Sequence, residues 1–398
     1  MVSPDQTKLN WLRLTGAEGI GPATLRRLLD HYGDVDSVLA AADAGALHDM
    51  KDTLPAANRE ALAAAIRRSR PEAELERLAR YGGDLVAFDD PRYPPGLISI
   101  PDPPPLLRVA GDAAAFLEVT VAVVGTRRCS AVGIRQAGRF AAGLSSAGVC
   151  VVSGGARGID AEAHRATLRA EGRTVVVLGS GLGCLYPPEH GALFDQVRAA
   201  GGAIVSELHT DRPPRPSQFP RRNRIISGMS SGVLVIEAPR RSGAMLTAKM
   251  AVESHGRECW VVPADADRRE ARGGLEAIRD GWAACVMEPA DVLADLVGVD
   301  VSRGVDGAGH PSPVSQPKSF VTLSGDDAQV AEALRKSGGS DVASLIERTG
   351  LPAAAAMRSM TSLELLGVVL RRGQYVTLTS AGMALTAAAP RPICRSDA

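Results

Sequence analysis

Six short runs of mostly β-branched residues, separated by segments of helical period, constrain the fold of this chain more than any other feature. The runs lack the alternation of polar and apolar residues that marks a strand with one wet face, so both of their faces must be covered. They are "VTVAVV" (119–124), "VCVV" (149–152), "TVVVL" (174–178), "AIVS" (203–206), "VLVIE" (233–237) and "CWVV" (259–262). This order predicts an α/β domain over residues 112–298, with a doubly wound, mainly parallel sheet.

The residues before this domain are predicted to be helical. Leucines recur at helical intervals through residues 1–88, and "GAEGIGPATLRRLLDHYG" lies within this block. Gly19, Gly21 and Pro22 form a turn that opens a helix from about Ala23, as in a helix-hairpin-helix, although a turn between ordinary packed helices explains the string equally well. Residues 89–111 contain too many prolines for regular elements and are predicted to be a connection.

A smaller C-terminal domain is predicted beyond a linker. Residues 299–320 are rich in Gly, Ser and Pro and lack periodicity, which is typical of a linker. Residues 321–388 have the order helix, helix, helix and hairpin of a winged-helix-like domain, and 389–398 form a tail. The third helix, about Ala353 to Leu366, carries Arg358 as its one cation, so a packing or partner-binding module is favoured over a DNA reader.

The overall charge and the cysteines exclude several classes of protein. The 45 Lys and Arg balance the 45 Asp and Glu among 398 residues, so any nucleic-acid site must arise from a local field. The six cysteines form no CxxC pair and have no histidine at ligand spacing, so neither a metal site nor a disulfide framework is expected. The N-terminus does not resemble a signal peptide and no apolar run is long enough for a membrane span, so a cytoplasmic protein without cofactor is predicted.

Four of the strand runs end in loops of small residues that must meet at one edge of a parallel sheet. The loops are "VVGTRRCS", "VSGGARGID", "VLGSGLG" and "EAPRRSGAM". Glycines such as Gly125 and Gly154 allow close approach to a ligand. The same loops carry positive charge, which predicts an anion site, on Arg127, Arg128, Arg157, Arg240 and Arg241. Glycines that serve close packing alone are the alternative. A P-loop string is absent, and "GSGLG" is not the GxGxxG of a nicotinamide site.

A cluster of arginines precedes the fifth of the six runs. The string "FPRRNRIISG" (219–228) places Arg221, Arg222 and Arg224 around Asn223, at what is predicted to be the start of a short helix. Such cations oppose the helix dipole and one another, so a phosphate is expected to complete the cluster, with a solvated basic patch as the alternative.

Catalytic constellations are weaker than the anion site. Asp160 and His164 stand four residues apart near Ser153, and Glu207 and Glu237 end two strands. Such pairs are more often structural than catalytic, so no catalytic residue is assigned.

Together these strings resemble the DNA-processing protein A family (DprA, also called Smf). The matching strings are "VAVVGTRR", "VVSGGARGIDAEAHRATL", "VLGSGLGCLYPPEH", "FPRRNRIISG" and "VIEAPRRSGAMLTA". The resemblance implies that the sheet domain is an extended Rossmann-like domain. It also implies a non-catalytic protein, usually a dimer, that binds and protects single-stranded DNA and helps to load the RecA recombinase. It implies DNA contacts from Gly125, Thr126 and Arg127 and from Arg221, Arg222, Asn223 and Arg224. Gly154 and Arg157 join this predicted site from the loop after the second run.

The chain departs from the family pattern near the end of the sheet domain. It has "PADAD" at 263–267 and "GGLEAIRDGW" at 273–282, where the family usually has PG and then GxNxLIxxGA. Dimer geometry is therefore the implied property that the sequence supports least. A nucleotide phosphoribohydrolase similar to the Lonely Guy family is the main alternative, but that family has PGGxGTxxE where this chain has "EAPRRSGAMLTA". An interaction scaffold is the third hypothesis.

Overall fold

All six β-branched runs form strands, each within two residues of its predicted position. The computed structural model describes residues 4–296, apart from 18, 21, 46, 48–55 and 70, and residues 325–337, 340–365, 368–372 and 375–378. It divides into two compact units, Met1–Leu293 and Ala294–Ala398, and the larger contains both the helical segment and the sheet.

The larger unit contains nine strands and thirteen α-helices among its described residues. The strands are β1 (Gly83–Ala87), β2 (Leu106–Gly111), β3 (Thr120–Val124), β4 (Cys150–Ser153), β5 (Thr174–Val177), β6 (Ala203–Ser206), β7 (Gly232–Val235), β8 (Glu258–Val261) and β9 (Ala284–Cys285). The helices are α1 (Pro4–Thr15), α2 (Pro22–Tyr32), α3 (Val35–Asp43), α4 (Ala56–Arg68), α5 (Glu72–Arg80), α6 (Pro95–Ile98), α7 (Ala131–Ser146), α8 (Ile159–Arg169), α9 (Gly191–Ala199), α10 (Gln218–Met229), α11 (Gly243–Glu253), α12 (Arg272–Arg279) and α13 (Pro289–Ala294). Two short 3-10 helices span Ala113–Leu117 and Pro188–His190.

The strands form one sheet in the order β1-β2-β6-β5-β4-β3-β7-β8-β9. Strands β3 to β9 are parallel to their neighbours, and β2 and β1 are added antiparallel beyond β6. The chain enters the parallel part at β3, adds strands on one side as far as β6, and then crosses to the other side of β3 to form β7. The β3–β7 boundary is therefore the topological switch point of the sheet.

Successive residues of the strands belong to two different hydrophobic cores, one on each face of the sheet. Val175 and Val177 belong to one core, which also contains Ile225 of α10 and Ala248 of α11. Val176 between them belongs to the other core. Both faces are therefore covered, which explains why the runs lack polar alternation.

The first two strands were not predicted and lie in segments assigned to other structures. Residues 89–111 were expected to be a connection without regular elements, but α6 and β2 both fall within them. The prolines end at Pro105, and the run "LLRVAG" that follows forms β2, which pairs with β1 and β6. The prolines therefore break only the first part of this segment, and the sheet extends upstream of residue 112.

The N-terminal segment is helical, as predicted, and it shares its core with one face of the sheet. Trp11, Leu28 and Ile66 pack in the same cluster as Val176 and Phe194. Helix α2 begins at Pro22, after Gly19 with its positive φ of 88°. Gly21, part of the predicted turn, lies outside the described residues.

A buried ion pair joins this helical segment to the sheet. Arg108 of β2 donates from Nε to Glu74 Oε1 of α5 over 2.6 Å, and both side chains are buried. The backbone N and the hydroxyl of Thr210 donate to the same oxygen over 2.9 and 3.0 Å. Burial alone would raise the pKa of Glu74, but the hydrogen bonds from His209 and Arg108 and the charge of Arg108 outweigh it, so the pKa is lowered.

The smaller unit has the element order expected of residues 321–388. Its elements are α14 (Asp326–Ser337), β10 (Ser340–Asp341), α15 (Val342–Thr349), α16 (Ala353–Leu365), β11 (Val369–Arg372) and β12 (Tyr375–Leu378). The strands form an antiparallel sheet in the order β10-β12-β11, and the short β10 was not predicted. The assignment to the winged-helix class stays a prediction. The linker 299–320 and the tail 389–398 lie outside the described residues.

No helix in the described part of the chain combines the length and the apolar character that crossing a membrane requires.

Replacing Glu74 by alanine should lower the free energy of unfolding at neutral pH by about 3–5 kcal/mol, because it leaves the Arg108 guanidinium buried without its partner. Urea unfolding followed by tryptophan fluorescence measures this. Glu76→Ala, an exposed change on the same helix, is the control and should cost less than about 0.5 kcal/mol. Folding lowers the pKa of Glu74, so its carboxylate contributes to the free energy of unfolding at pH values above the ordinary pKa of 4.5. This contribution is lost as the pH falls below 4.5. A Glu74→Ala variant as stable as Glu76→Ala would contradict this role.

Candidate nucleic-acid interface

A cleft of about 590 Å³ lies at the switch point of the sheet, where the loops after β3 and β7 diverge. Its walls come from these loops, from the start of α8 and α11, and from the first turns of α10. The residues that line it include Gly125, Thr126, Arg127, Arg128, Ala156, Asp160, Tyr186, Phe219, Pro220, Arg222, Asn223, Pro239, Ser242, Gly243 and Leu246. Three of the four predicted loops, those after β3, β4 and β7, therefore meet in one concave site, whereas no residue of "VLGSGLG" after β5 lines it.

The loop after β3 packs directly on the first turn of α8. A Cβ atom on Gly125 would come within 2.5 Å of the Ile159 side chain, so only glycine fits there. Gly158 has φ of +80°, and a Cβ atom there would meet the carbonyl oxygen of Thr126 at 2.5 Å. The backbone N of Thr126 in turn donates to the carbonyl of Glu237 over 2.7 Å. These contacts hold the loop at the floor of the cleft and direct it past α8.

Arg127 stands in the cleft next to two aromatic rings. Its side chain is exposed, and its Cζ lies 5.6 Å from the centroid of the Phe219 ring, as in a cation–π contact. The Tyr186 and Phe219 ring centroids are 5.5 Å apart. Arg128, also exposed, lines the same cleft. The cleft therefore presents both positive charge and aromatic rings to a ligand.

Arg222 is buried and contacts the carboxyl ends of both β4 and β5. Its Nη1 donates to the carbonyl of Gly154 over 2.8 Å and contacts the carbonyl of Val177, the last residue of β5. Its Nε has no hydrogen-bond acceptor among the described residues. Burial lowers the pKa of Arg222 to about 10, an effect that the nearby Asp160 carboxylate partly offsets. Arg222 therefore stays charged at neutral pH and shapes the floor of the cleft.

The other arginines of the predicted cluster do not share this position. Arg224 is also buried, but it donates to Asp102 over 3.0 Å and to Glu207 over 2.7 Å, so it faces away from the cleft. Burial alone would lower the pKa of Arg224, but the two carboxylates outweigh it and the pKa is raised. Arg221 is exposed, with its Nε 3.9 Å from Glu207, and it lines two other openings of the surface but not the cleft. The expectation that all three face one anion is wrong for Arg224, because acids from distant segments neutralise it.

Three further predicted residues have distinct positions. Asn223 lines the cleft, and its Nδ2 donates to the carbonyl of Gly243 at the start of α11 over 3.2 Å. Gly154 is buried beneath the guanidinium of Arg222 and does not line the cleft. Arg157 is exposed on the loop before α8 and forms an ion pair with Glu189.

The polar residues that were considered as catalytic candidates form hydrogen bonds that stabilise the fold. Glu237 accepts from the backbone N and the hydroxyl of Ser130, the cap of α7, over 2.8 and 2.6 Å. His164 Nδ1 is 2.7 Å from the Thr174 hydroxyl, and Ser153 donates to the carbonyl of Val123. Burial lowers the pKa of His164 to about 3. Ser153, His164 and Asp160 therefore do not form a triad.

The aromatic residues of the site were not predicted from the sequence, whereas the loop that leads into α11 was. Phe219 and Tyr186 stand in strings that were quoted for their resemblance, but neither received a role. Ser242 caps α11 and lines the cleft with Gly243. The position of Tyr186, far from any strand run, offered no periodicity that would place it beside Phe219.

Arg222→Ala should lower the free energy of unfolding by about 3 kcal/mol, because it leaves the carbonyls of Gly154 and Val177 and the Asp160 carboxylate without their partner. Arg221→Ala removes the same charge one residue away from an exposed position and should change stability by less than about 0.5 kcal/mol. Urea unfolding of both variants tests the difference. Equal stabilities would show that Arg222 has no structural role.

Comparison with known proteins assigns the two parts of the larger unit. A family model described as DNA recombination-mediator protein A matches residues 84–297, and one described as a DprA-like N-terminal HHH domain matches residues 5–67. The second match bears out the helix-hairpin-helix interpretation of the N-terminal segment.

Full-length relatives and a solved structure agree with these matches. Protein Smf of Escherichia coli is 37% identical over 315 residues, which cover 78% of this chain and 81% of that protein. DNA processing protein DprA of Bacillus subtilis is 34% identical over 223 residues, covering 55% and 74%. The crystal structure of DNA processing protein A from Streptococcus pneumoniae has a TM-score of 0.63 and 30% identity, covering 72% of this chain and 97% of that one. The chain therefore belongs to the DNA recombination-mediator protein A family.

Proposed function

We propose that the cleft binds single-stranded DNA and that the protein acts in DNA processing during transformation or recombination. The observation that carries this proposal is the meeting of Arg127, Phe219 and Tyr186 at an edge of small-residue loops. A single strand offers both phosphates and unpaired bases, and this surface presents partners for both.

The charge of the cleft favours an anion. Among the residues that line it, Asp160 offsets Arg222, while Arg127 and Arg128 remain exposed. The starts of α8 and α11 border the same space and add the positive ends of two helix dipoles. The Nε of Arg222 has no hydrogen-bond acceptor among the described residues, and a phosphate oxygen is an acceptor of the required kind. A neutral chain thus has a local field of the sign that DNA requires.

The aromatic rings favour a single strand over a duplex. In a duplex the base faces are stacked on one another and are not available to protein rings, whereas unpaired bases stack on aromatic side chains with little dependence on sequence. We therefore assign strand contact in the cleft to Gly125, Thr126, Arg127, Arg128 and Phe219. The resemblance adds Arg221, which is exposed near the start of α10 outside the cleft. Arg222, Asn223 and Gly154 support the site, and Arg157 extends it beside α8.

The wider activity in this proposal comes from the family resemblance. The protein protects the strand, acts as a homodimer in the cytoplasm, and helps to load the RecA recombinase without catalysing a reaction. Glu237 and Glu207 are held by hydrogen bonds with Ser130 and Arg224, and His164 is fully buried and does not line the cleft, which supports the non-catalytic role.

Arg127→Ala should weaken binding to oligonucleotides of every sequence by about tenfold at low salt, because it removes a charge-assisted phosphate contact. The slope of log K against log salt should become shallower by about 0.7 for each lost contact. Fluorescence anisotropy over a salt series measures both quantities. Arg173→Ala, which removes a half-buried charge paired with Glu118 before β5 at the opposite edge of the sheet, is the control and should change neither. Unchanged binding by Arg127→Ala would refute the site, and stronger binding of duplex than of single strands would refute the function.

Incubation with nucleoside monophosphates should release no free base. The phosphoribohydrolase hypothesis needs a glutamate that the string after β7 lacks, and the nearby Glu237 is occupied by Ser130. Chromatography of the products tests this, with a phosphoribohydrolase of the Lonely Guy type as the positive control. Base release that depends on Arg127 would replace the binding role with an enzymatic one.

A further inference from the structure

We propose that a second group of arginines beside the cleft holds phosphates of the same DNA strand after it leaves the cleft. This inference rests on the proposed function. The group, called here the arginine rim, consists of Arg240, Arg241, Arg269 and Arg272, which line an opening of about 540 Å³ together with Pro239 and Asp267.

The rim continues the cleft along the same edge of the sheet. Arg240 and Arg241 lie in the loop between β7 and α11, and Arg269 and Arg272 follow the neighbouring parallel strand β8. Pro239 lines both the cleft and the rim opening. Ser242 and Gly243, the residues directly after the arginine pair, line the cleft. One short loop therefore contributes to both surfaces, and a strand lying in the cleft passes from one to the other over Pro239.

Backbone contacts fix the rim to this loop. The backbone N of Gly273 donates to the carbonyl of Ala238 over 2.9 Å. A Cβ atom on Gly273 would lie 2.6 Å from that oxygen and 2.8 Å from the carbonyl of Pro239, so the start of α12 sits directly on the loop. The spacing of rim and cleft is thus set by backbone packing.

The rim has an excess of positive charge. Arg240 forms an ion pair with Glu276. Arg241, Arg269 and Arg272 are exposed and form no ion pair with any residue that the structure describes, and Asp267 is the single acid that lines the opening. Like charges held close together repel one another, and a strand of phosphates relieves that repulsion. Guanidinium groups suit this ligand because they contact phosphate oxygens in pairs.

Half of the rim belongs to the part of the chain that departs from its family. Arg269 and Arg272 lie between "PADAD" and "GGLEAIRDGW", the two strings that differ from the usual pattern, whereas Arg240 and Arg241 lie in the matching string "VIEAPRRSGAMLTA". Arg269 and Arg272 are therefore read from this chain alone, and the test below is directed at these two residues.

The test compares two oligonucleotide lengths. One of about four nucleotides fills the cleft, and one of about 16 also reaches the rim, the two ends of the range for single-stranded sites. The Arg269→Ala and Arg272→Ala double variant should bind the longer one about tenfold more weakly at low salt, with a salt slope shallower by about 1.4, and bind the shorter one like the wild type. The control is Arg173→Ala with Arg198→Ala, which removes one half-buried and one exposed charge near the opposite edge, where β5 and β6 begin.

Each failure has its own signature. If Arg127→Ala weakens binding while the rim double variant binds the longer oligonucleotide normally, the rim has no role and the proposed function stands. Equal weakening on both lengths also overturns the rim, because the effect would then arise within the cleft. If the wild type binds neither oligonucleotide, the proposed function fails and the rim fails with it. Matching thermal unfolding of the double variant and the wild type confirms that the variant is folded.

Discussion

The reversal of strand order between β3 and β7 is the constraint on which the functional architecture depends. Strand β3 lies at the boundary between the two halves of the sheet. The loops after β3 and β7 therefore run in opposite directions, which opens a gap between them. The cleft occupies that gap, and α8 and α11 begin at its walls. The arginine rim follows because β8 is the next strand along the same edge.

Burial divides the arginine segment of α10 into residues with different tasks. Arg222 is buried, so its charge holds carbonyl groups of two strand ends in place. Arg224 is neutralised by Asp102 and Glu207 and serves the packing of α10. Arg221, the exposed member, lies near Glu207 and keeps its guanidinium in contact with solvent. A buried cation is stable only with hydrogen-bond or ion-pair partners, whereas an exposed cation with few partners can attract an anion from solution. One basic segment therefore contributes both structural and ligand-binding residues.

The N-terminal helices are part of this arrangement. They share a hydrophobic core with one face of the sheet, and the Glu74–Arg108 pair fixes α5 to β2 and to the loop after β6. That loop leads towards α10, which begins at Gln218. The helical segment thus supports the chain that supplies Arg221 and Phe219, although neither residue lies within it.

The sequence by itself determined the strands and the edge where they end. Stiff β-branched runs without polar alternation specify buried parallel strands, and the strand positions were predicted within two residues. The small-residue loops that line the cleft were also predicted, because they follow these strands in the sequence. It did not determine β1 and β2, whose antiparallel pairing depends on the free edge of β6. Only the tertiary structure decided which arginines are exposed, because Gly154, Val177, Asp102 and Glu207 reach them from distant segments. It also decided that Tyr186 meets Phe219 beside Arg127, since contacts across the sheet edge leave no period in the sequence.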